Sequence, residues 1–156
     1  MTHDVDIVAV QEQAVLCLRE RGPLGDIGRR MRRLRELASQ AGLVPAGPLA
    51  ARFYADEDGP EQDYDVCLPV DLSEDGTVPD RLGEAHGELI PLHHVLQAEH
   101  SGAHDAMQDA WRAVREACAA LGYVQSGPMT EVYIAGRGTG ATPADYVTLV
   151  RLPYAR

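Results

Sequence analysis

Glu131 and Tyr133, in the strand-like run TEVYI, are the side chains best suited to hold a charged ligand. Side chains alternate along an extended strand, so these two share one face while Val132 and Ile134 share the other. The apolar pair suits a helix-packed core, which predicts Glu131 and Tyr133 on the opposite face. A carboxylate beside an aromatic ring suits a cationic, planar ligand, through charge neutralisation and cation–π attraction. The alternative is a solvated Glu131 beside Arg137.

Several histidines and one glycine-rich run could bind a metal or a phosphate, but their spacing argues against both. His93 and His94 would face opposite ways on a strand, and a glycine interrupts the interval between His100 and His104. The run GRGTG at 136–140 leads into strand-like residues, so no helix N-terminus follows it to hold a phosphate. We therefore predict no metal and no cofactor. No Ser-His-Asp or Cys-His grouping stands at a recognisable spacing either.

An internal repeat supplies the elements that must position these residues. Residues 15–54 align with 95–134 at a constant offset of 80, with ten identities that include the turn-forming Gly-Pro pairs at 47–48 and 127–128. Each half contains one amphipathic helix. The apolar stripes are Ile27, Met31, Leu34, Ala38 and Ala41 in the first helix, and Met107, Trp111, Val114, Cys118 and Leu121 in the second.

Strand-like runs surround both helices. Gly42 and Gly122 are placed to end the helices in the left-handed conformation. The pattern predicts an α+β fold made of a duplicated strand-strand-helix-strand-strand unit, with a mainly antiparallel sheet, two helices on one face and pseudo-two-fold symmetry. The sequence is thus interpreted as one domain, 1–156, with repeats at about 5–70 and 88–154 joined by an acidic linker, 71–87.

Composition narrows the classes of partner. The 156-residue chain has a net charge of −10, and all fourteen basic residues are arginine against 24 acidic ones. This balance argues against nucleic acid, and we expect the arginines between 29 and 35 to pair with acids such as Asp26 and Glu36. No signal peptide or membrane span is recognisable, and Cys17, Cys67 and Cys118 form no CxxC pair. We predict a cytoplasmic protein with three ordinary thiols.

Further aromatic residues are candidates for ligand contact. At the repeat offset, Ala51 and Phe53 correspond to Glu131 and Tyr133, so the first half has lost the acid and kept a ring. We expect an asymmetric pocket with Phe53 as an apolar wall. Further candidates are Tyr64, with its neighbour Asp65, and Tyr146. For each of them a structural role is about as well supported as contact with a ligand. Trp111 and Met107 could border the pocket, although core packing is the better interpretation for Trp111.

A family resemblance is carried by four segments: RERGPLGDIG (19–28), GLVPAGPLAARFY (42–54), YDVCLPV (64–70) and GPMTEVYIAG (127–136). In this order, and duplicated, they resemble the GyrI-like small-molecule-binding domain, also called the AraC-type or BmrR-type effector-binding domain, in its stand-alone form. The resemblance implies a pocket between the two halves, lined by aromatic residues and centred on an acidic side chain. The family's acidic position falls at Glu131.

Three functions are compatible with this resemblance. The first is the binding of a hydrophobic, cationic or planar small molecule, for sensing or sequestration, anchored by Glu131. The second is a hydrolase that opens a strained, cyclopropanoid-like ring, with Glu131 as acid or base and Tyr133 bonded to the substrate. The third is a gyrase-inhibitor-like interaction module. The family's DNA-binding appendages are not recognisable, so we expect no nucleic acid partner for this chain, no membrane, and a monomer or homodimer.

Overall fold

The structure is a computed structural model that describes residues 3–54, 62–72, 74–103, 106–136 and 142–156. Within these ranges the chain forms two α-helices, α1 (Ile27–Gln40) and α2 (Met107–Ala120). It also forms ten β-strands: β1 (Val5–Val10), β2 (Gln13–Gly22), β3 (Ala50–Phe53), β4 (Gln62–Pro69), β5 (Arg81–Leu82), β6 (Ala85–Ile90), β7 (His93–Ser101), β8 (Val124–Gln125), β9 (Met129–Ala135) and β10 (Val147–Ala155). The predicted α+β class and the predicted strand-strand-helix-strand-strand order are confirmed.

The elements group into two compact units. The first unit is Gln11–Pro91, and the second combines residues 1–10 with 92–156. In the first unit the strand order is β3-β4-β2-β6-β5, and α1 packs on β2 and β4. In the second unit the order is β1-β7-β10-β9, with β8 paired to β10, and α2 packs on β7 and β10. All of these pairings are antiparallel.

The boundaries of the units differ from those of the sequence repeats. Strand β1 pairs with β7 of the second unit, and β6 pairs with β2 of the first, so each sequence half gives its opening strand to the other half's unit. The stretch predicted as an acidic linker, 71–87, contains β5 and the start of β6. Alternating sequence patterns show that a strand exists but not which strand it pairs with, since pairing is decided by tertiary contacts.

Both helices end as the glycines predict. Gly42 and Gly122 have φ of 71° and 72°, a left-handed conformation that glycine adopts without a Cβ penalty. The stripe of α1 is buried at Ile27, Met31, Leu34, Leu37 and Ala38. In α2 the buried positions are Met107, Ala110, Val114 and Cys118, whereas the predicted stripe member Leu121 is 48% exposed. Leu121 stands at the end of the helix, where the core no longer covers it.

Candidate functional site

Glu131 lies on the face of β9 that α2 covers. In the antiparallel register it stands opposite Val150 of β10, and Val150 belongs with Met129 to the buried cluster that packs against α2. Ile134, on the other face, is 48% exposed. The predicted orientation of β9 was therefore wrong. Hydrophobicity alone assigned Val132 and Ile134 to the helix side, but a carboxylate can be buried there because it finds hydrogen-bond donors.

Two aromatic side chains hold the Glu131 carboxylate. The indole Nε1 of Trp111, on α2, donates to Oε2 at 2.8 Å, and the hydroxyl of Tyr133 donates to Oε1 at 2.8 Å. Glu131 is 9% exposed and Tyr133 is 3% exposed. Both donors are neutral, so they orient the carboxylate without adding a charge of opposite sign. We refer to Trp111, Glu131 and Tyr133 as the carboxylate triad.

The favoured role of Trp111, core packing, is found in the structure, whereas its place at the border of a pocket stays a prediction. Trp111 is half-buried and packs against the core cluster of the second unit, one helical turn after the buried Met107. Its ring also lies 5.2 Å from the guanidinium carbon of Arg115. The indole therefore contacts both the core and the Glu131 carboxylate. The helical spacing of Trp111 could not show the second contact, because Glu131 lies on a strand twenty residues away.

The corresponding place in the first unit is apolar. Ala51 and Phe53 are buried on β3, opposite Val66 and Tyr64 of β4. The Phe53 and Tyr64 rings are 6.3 Å apart, and the Tyr64 hydroxyl is buried with no hydrogen-bond partner among the residues that the structure describes. Phe53 and Tyr64 thus contact each other, whereas Tyr146 lies half-buried just before β10. Their predicted contact with a ligand stays a prediction.

The opposite face of the first unit carries a charged cluster that the sequence did not indicate. Arg52 donates to Asp65 at 2.9 and 2.6 Å and to Glu88 at 3.1 and 3.0 Å. Burial alone would lower the pKa of Arg52, but these hydrogen bonds raise it, and they lower the pKa of Glu88. Asp65, considered as a ligand contact, is occupied by Arg52 and by the Tyr54 hydroxyl at 2.8 Å.

Two of the three thiols also belong to this cluster. The Sγ atoms of Cys17 and Cys67 are 3.1 Å apart, and the Arg52 Nη2 atom lies 3.3 Å from the Cys17 sulfur. All three cysteines are free thiols, as predicted, and the contact between Cys17 and Cys67 is a feature that the prediction did not include. The two positions are 50 residues apart and only the β2–β4 register brings them together, so no short motif could have indicated their contact.

The histidines, the glycine-rich run and the helix arginines were also singled out in the sequence. His100 contacts His3, with ring nitrogens 3.4 Å apart, while His104 lies outside the described residues. Most of the run GRGTG also lies outside the described residues.

The predicted pairing of helix arginines is confirmed at Arg29–Asp26, 3.1 Å, and at Arg33–Glu36, 3.6 Å. Among the described residues there is no helix that is both long and apolar enough to cross a membrane.

Comparison with known proteins gives a family match and several similar folds. The family model of the GyrI-like small molecule binding domain matches residues 3–155. The chain is 18% identical to the crystal structure of the EcmrR C-terminal domain, with a TM-score of 0.86 and coverage of 100% of this chain and 99% of that one. It covers 59% of the EcmrR chain seen in a complex with DNA.

Two further solved structures are similar in fold. A hydrolase from Listeria innocua is 14% identical, with a TM-score of 0.68 and coverage of 99% of this chain and 93% of that one. SAV2435 bound to tetraphenylphosphonium is 18% identical, with a TM-score of 0.61 and coverage of 97% and 94%. No curated protein matches the sequence.

Proposed function

This chain belongs to the GyrI-like small-molecule-binding family, and on that premise we propose that it binds a hydrophobic, cationic small molecule at the Glu131 carboxylate. The carboxylate triad is the observation that carries the proposal. A buried carboxylate held by an indole and a phenol offers a fixed negative charge between aromatic surfaces, which a hydrophobic cation can match on both counts.

The burial of Glu131 sets a requirement for access. With 9% of its surface exposed, the carboxylate can be reached only if the ligand shares it with Trp111 or displaces the indole. Trp111 is only half-buried, so its side chain can move with a smaller loss of packing than Tyr133 can. Binding should therefore change the fluorescence of Trp111, the one tryptophan in the sequence.

The test is calorimetric titration with tetraphenylphosphonium, the cation bound to SAV2435. We expect saturable binding that Glu131→Gln weakens by roughly 10- to 100-fold, because the variant keeps the shape of the side chain and loses its charge. Glu99→Gln is the matched control, since it makes the same change at an exposed position of β7. Triphenylphosphine oxide, a neutral analogue, should bind wild type and Glu131→Gln equally. Equal affinity of both proteins for the cation would contradict the proposal.

A second candidate is hydrolysis of a strained ring, favoured by the 2.8 Å contact between Tyr133 and Glu131. Glu131 would take a proton from water as the water oxygen bonds to a ring carbon. The ring C–C bond breaks, its electron pair stays on the departing carbon, and that carbon receives the proton from Glu131. Tyr133 would hold the carboxylate in place.

Mass spectrometry separates the two candidates. The protein is incubated with an electrophilic cyclopropane compound, and each mixture is examined for a product that has gained one water. A hydrolase gives this product with wild type and Glu99→Gln, more slowly with Tyr133→Phe, and not with Glu131→Gln. Binding of the cation with every cyclopropane recovered at its original mass would exclude hydrolysis of these compounds and leave the binding proposal standing.

A further inference from the structure

Cys17 and Cys67 are placed to form a disulfide across two strands. They are direct partners in the antiparallel register of β2 and β4. Opposed residues in such a pair have Cα atoms about 4.5 to 5.5 Å apart, within the range that disulfides span. Their sulfurs are 3.1 Å apart, so forming a bond of about 2.05 Å requires a shift of about 1 Å, within reach of side-chain rotation.

The two sulfurs have different surroundings. The Cys17 sulfur accepts a hydrogen bond from the cationic Arg52 guanidinium at 3.3 Å. The Cys67 thiol donates toward Asp65 Oδ1 at 3.4 Å, and burial raises the pKa of Cys67. Cys17 is therefore suited to attack an oxidant and Cys67 to remain a thiol until a second step.

We propose that Cys17 and Cys67 form an oxidative modification site that a hydroperoxide converts to an intrachain disulfide. The Cys17 sulfur attacks the outer peroxide oxygen, the O–O bond breaks, and water or an alcohol leaves with the thiol proton, giving a sulfenic acid. The Cys67 sulfur then displaces the hydroxyl group, which leaves as water with the Cys67 proton. The two thiols together lose two electrons and the peroxide gains them.

Approach to this site runs past groups that are partly in solvent. Cys17 is 0% and Cys67 is 3% exposed, whereas the side chains of Glu88 and His86 are 39% and 40% exposed. Glu88 Oε2 lies 3.9 Å from the Cys17 sulfur. A molecule as small as hydrogen peroxide can reach the sulfur by small displacements of these side chains, while a bulky disulfide reagent cannot. We therefore expect slow oxidation by the first and none by the second in the folded protein.

A metal ion is the other ligand that these side chains suggest. Donor atoms of Cys17, Asp65 and Cys67 lie within 4.8 Å of one another, as do those of Cys17, His86 and Glu88. However, Arg52 already contacts Asp65, Glu88 and Cys17, so a divalent cation would have to displace a guanidinium from them. Two sulfurs bound to one tetrahedral zinc ion also stand farther apart than 3.1 Å, at about 3.8 Å.

The test is peptide mapping after exposure to hydrogen peroxide. Trypsin cleaves after arginine in this lysine-free chain, so Cys17, Cys67 and Cys118 fall in the separate peptides 1–19, 53–81 and 116–137. We expect a protein that has lost two hydrogens, whose digest links 1–19 to 53–81. Cys118→Ser is the matched control, because it removes a buried thiol of the second unit and should leave the link intact.

Single variants test the order of the two steps. In Cys67→Ser, dimedone added together with denaturant after peroxide treatment should label Cys17, whereas Cys17→Ser should leave Cys67 unlabelled. Circular dichroism checks that both variants are folded. A link that involves Cys118, labelling of Cys67 in preference to Cys17, or an unlinked wild-type digest would overturn the proposal. So would stoichiometric zinc binding by the reduced protein that protects both thiols.

Discussion

The duplicated strands β3 and β9 bury their charges on opposite faces and compensate them differently. In β3 the charge is Arg52, on the face away from α1, where it meets the carboxylates of Asp65 and Glu88. In β9 it is Glu131, on the face under α2, held by two neutral donors. An ion pair between two buried side chains satisfies the charge of both partners, whereas the indole and the phenol that hold Glu131 orient its carboxylate and carry no charge themselves. We infer a structural role for Arg52 and a binding role for Glu131.

The helix-covered face of the first unit shows that burying a carboxylate there is not required by the fold. Ala51 and Phe53 occupy the positions of Glu131 and Tyr133, and both are buried. An apolar pair avoids the desolvation cost of a carboxylate, so Glu131 is kept at some expense in stability. That expense is consistent with a function for the carboxylate other than stabilising the unit.

The largest effect that we predict is at Arg52. Arg52→Met leaves Asp65, which is 1% exposed, without its guanidinium, and should lower the free energy of unfolding by about 3 to 5 kcal/mol. Urea denaturation measures it. Arg52→Met combined with Asp65→Leu should regain most of the loss, because no buried charge is then left alone. A loss below about 1 kcal/mol in the single variant would refute the structural role of Arg52.

A smaller effect distinguishes two buried tyrosines. Tyr133→Phe removes a hydrogen bond to a carboxylate and should cost about 1.5 to 3 kcal/mol of unfolding free energy. Tyr64→Phe makes the same change in the first unit, where the hydroxyl is buried without a partner among the described residues, so its effect should be close to zero. Thermal and urea unfolding of the two variants provide the comparison. Equal losses would mean that the Tyr133 hydroxyl contributes no more than the Tyr64 hydroxyl.

The smallest effect is the pH dependence of the Glu88 contact. The hydrogen bond from Arg52 lowers the pKa of Glu88 in the folded chain, so its stabilisation is present above the unfolded pKa of about 4.3 and is lost as pH falls through the folded pKa. The side chain is 39% exposed, so we expect about 0.5 kcal/mol. Glu88→Gln should be less stable than wild type at neutral pH, and this difference should disappear in strong acid. A difference that persists there would assign it to packing.

The sequence predicts local features of this molecule better than it predicts their partners. The helical periodicity around Met31 and Leu34 and the stops at Gly42 and Gly122 depend on neighbouring residues, and these predictions are confirmed. The face of Glu131 was assigned wrongly because its donor Trp111 is twenty residues away on a helix. Hydrophobic alternation treats every carboxylate as solvated and has no means of detecting such a donor.

The contacts within the charged cluster could not be predicted for the same reason. Arg52, Asp65 and Glu88 come from three strands, and their contact depends on the order β3-β4-β2-β6 in the sheet. Arg52 lies between Ala51 and Phe53, so alternation along a strand gives the face on which it lies but not the residues that share that face. The contact of Cys17 with Cys67 likewise depends on strand register, which a single sequence specifies only through the completed core.

The exchange of opening strands between the sequence halves has a consequence for synthesis on the ribosome. The first unit, Gln11–Pro91, is continuous and can fold once β6 has left the exit tunnel. Strand β1 is made first but has to wait for β7, more than eighty residues later, and Val5, which packs against the core of the second unit in the folded chain, is uncovered in the meantime. The nascent chain therefore holds an unpaired apolar strand through much of its translation, a period in which a chaperone or a neighbouring nascent chain can capture it.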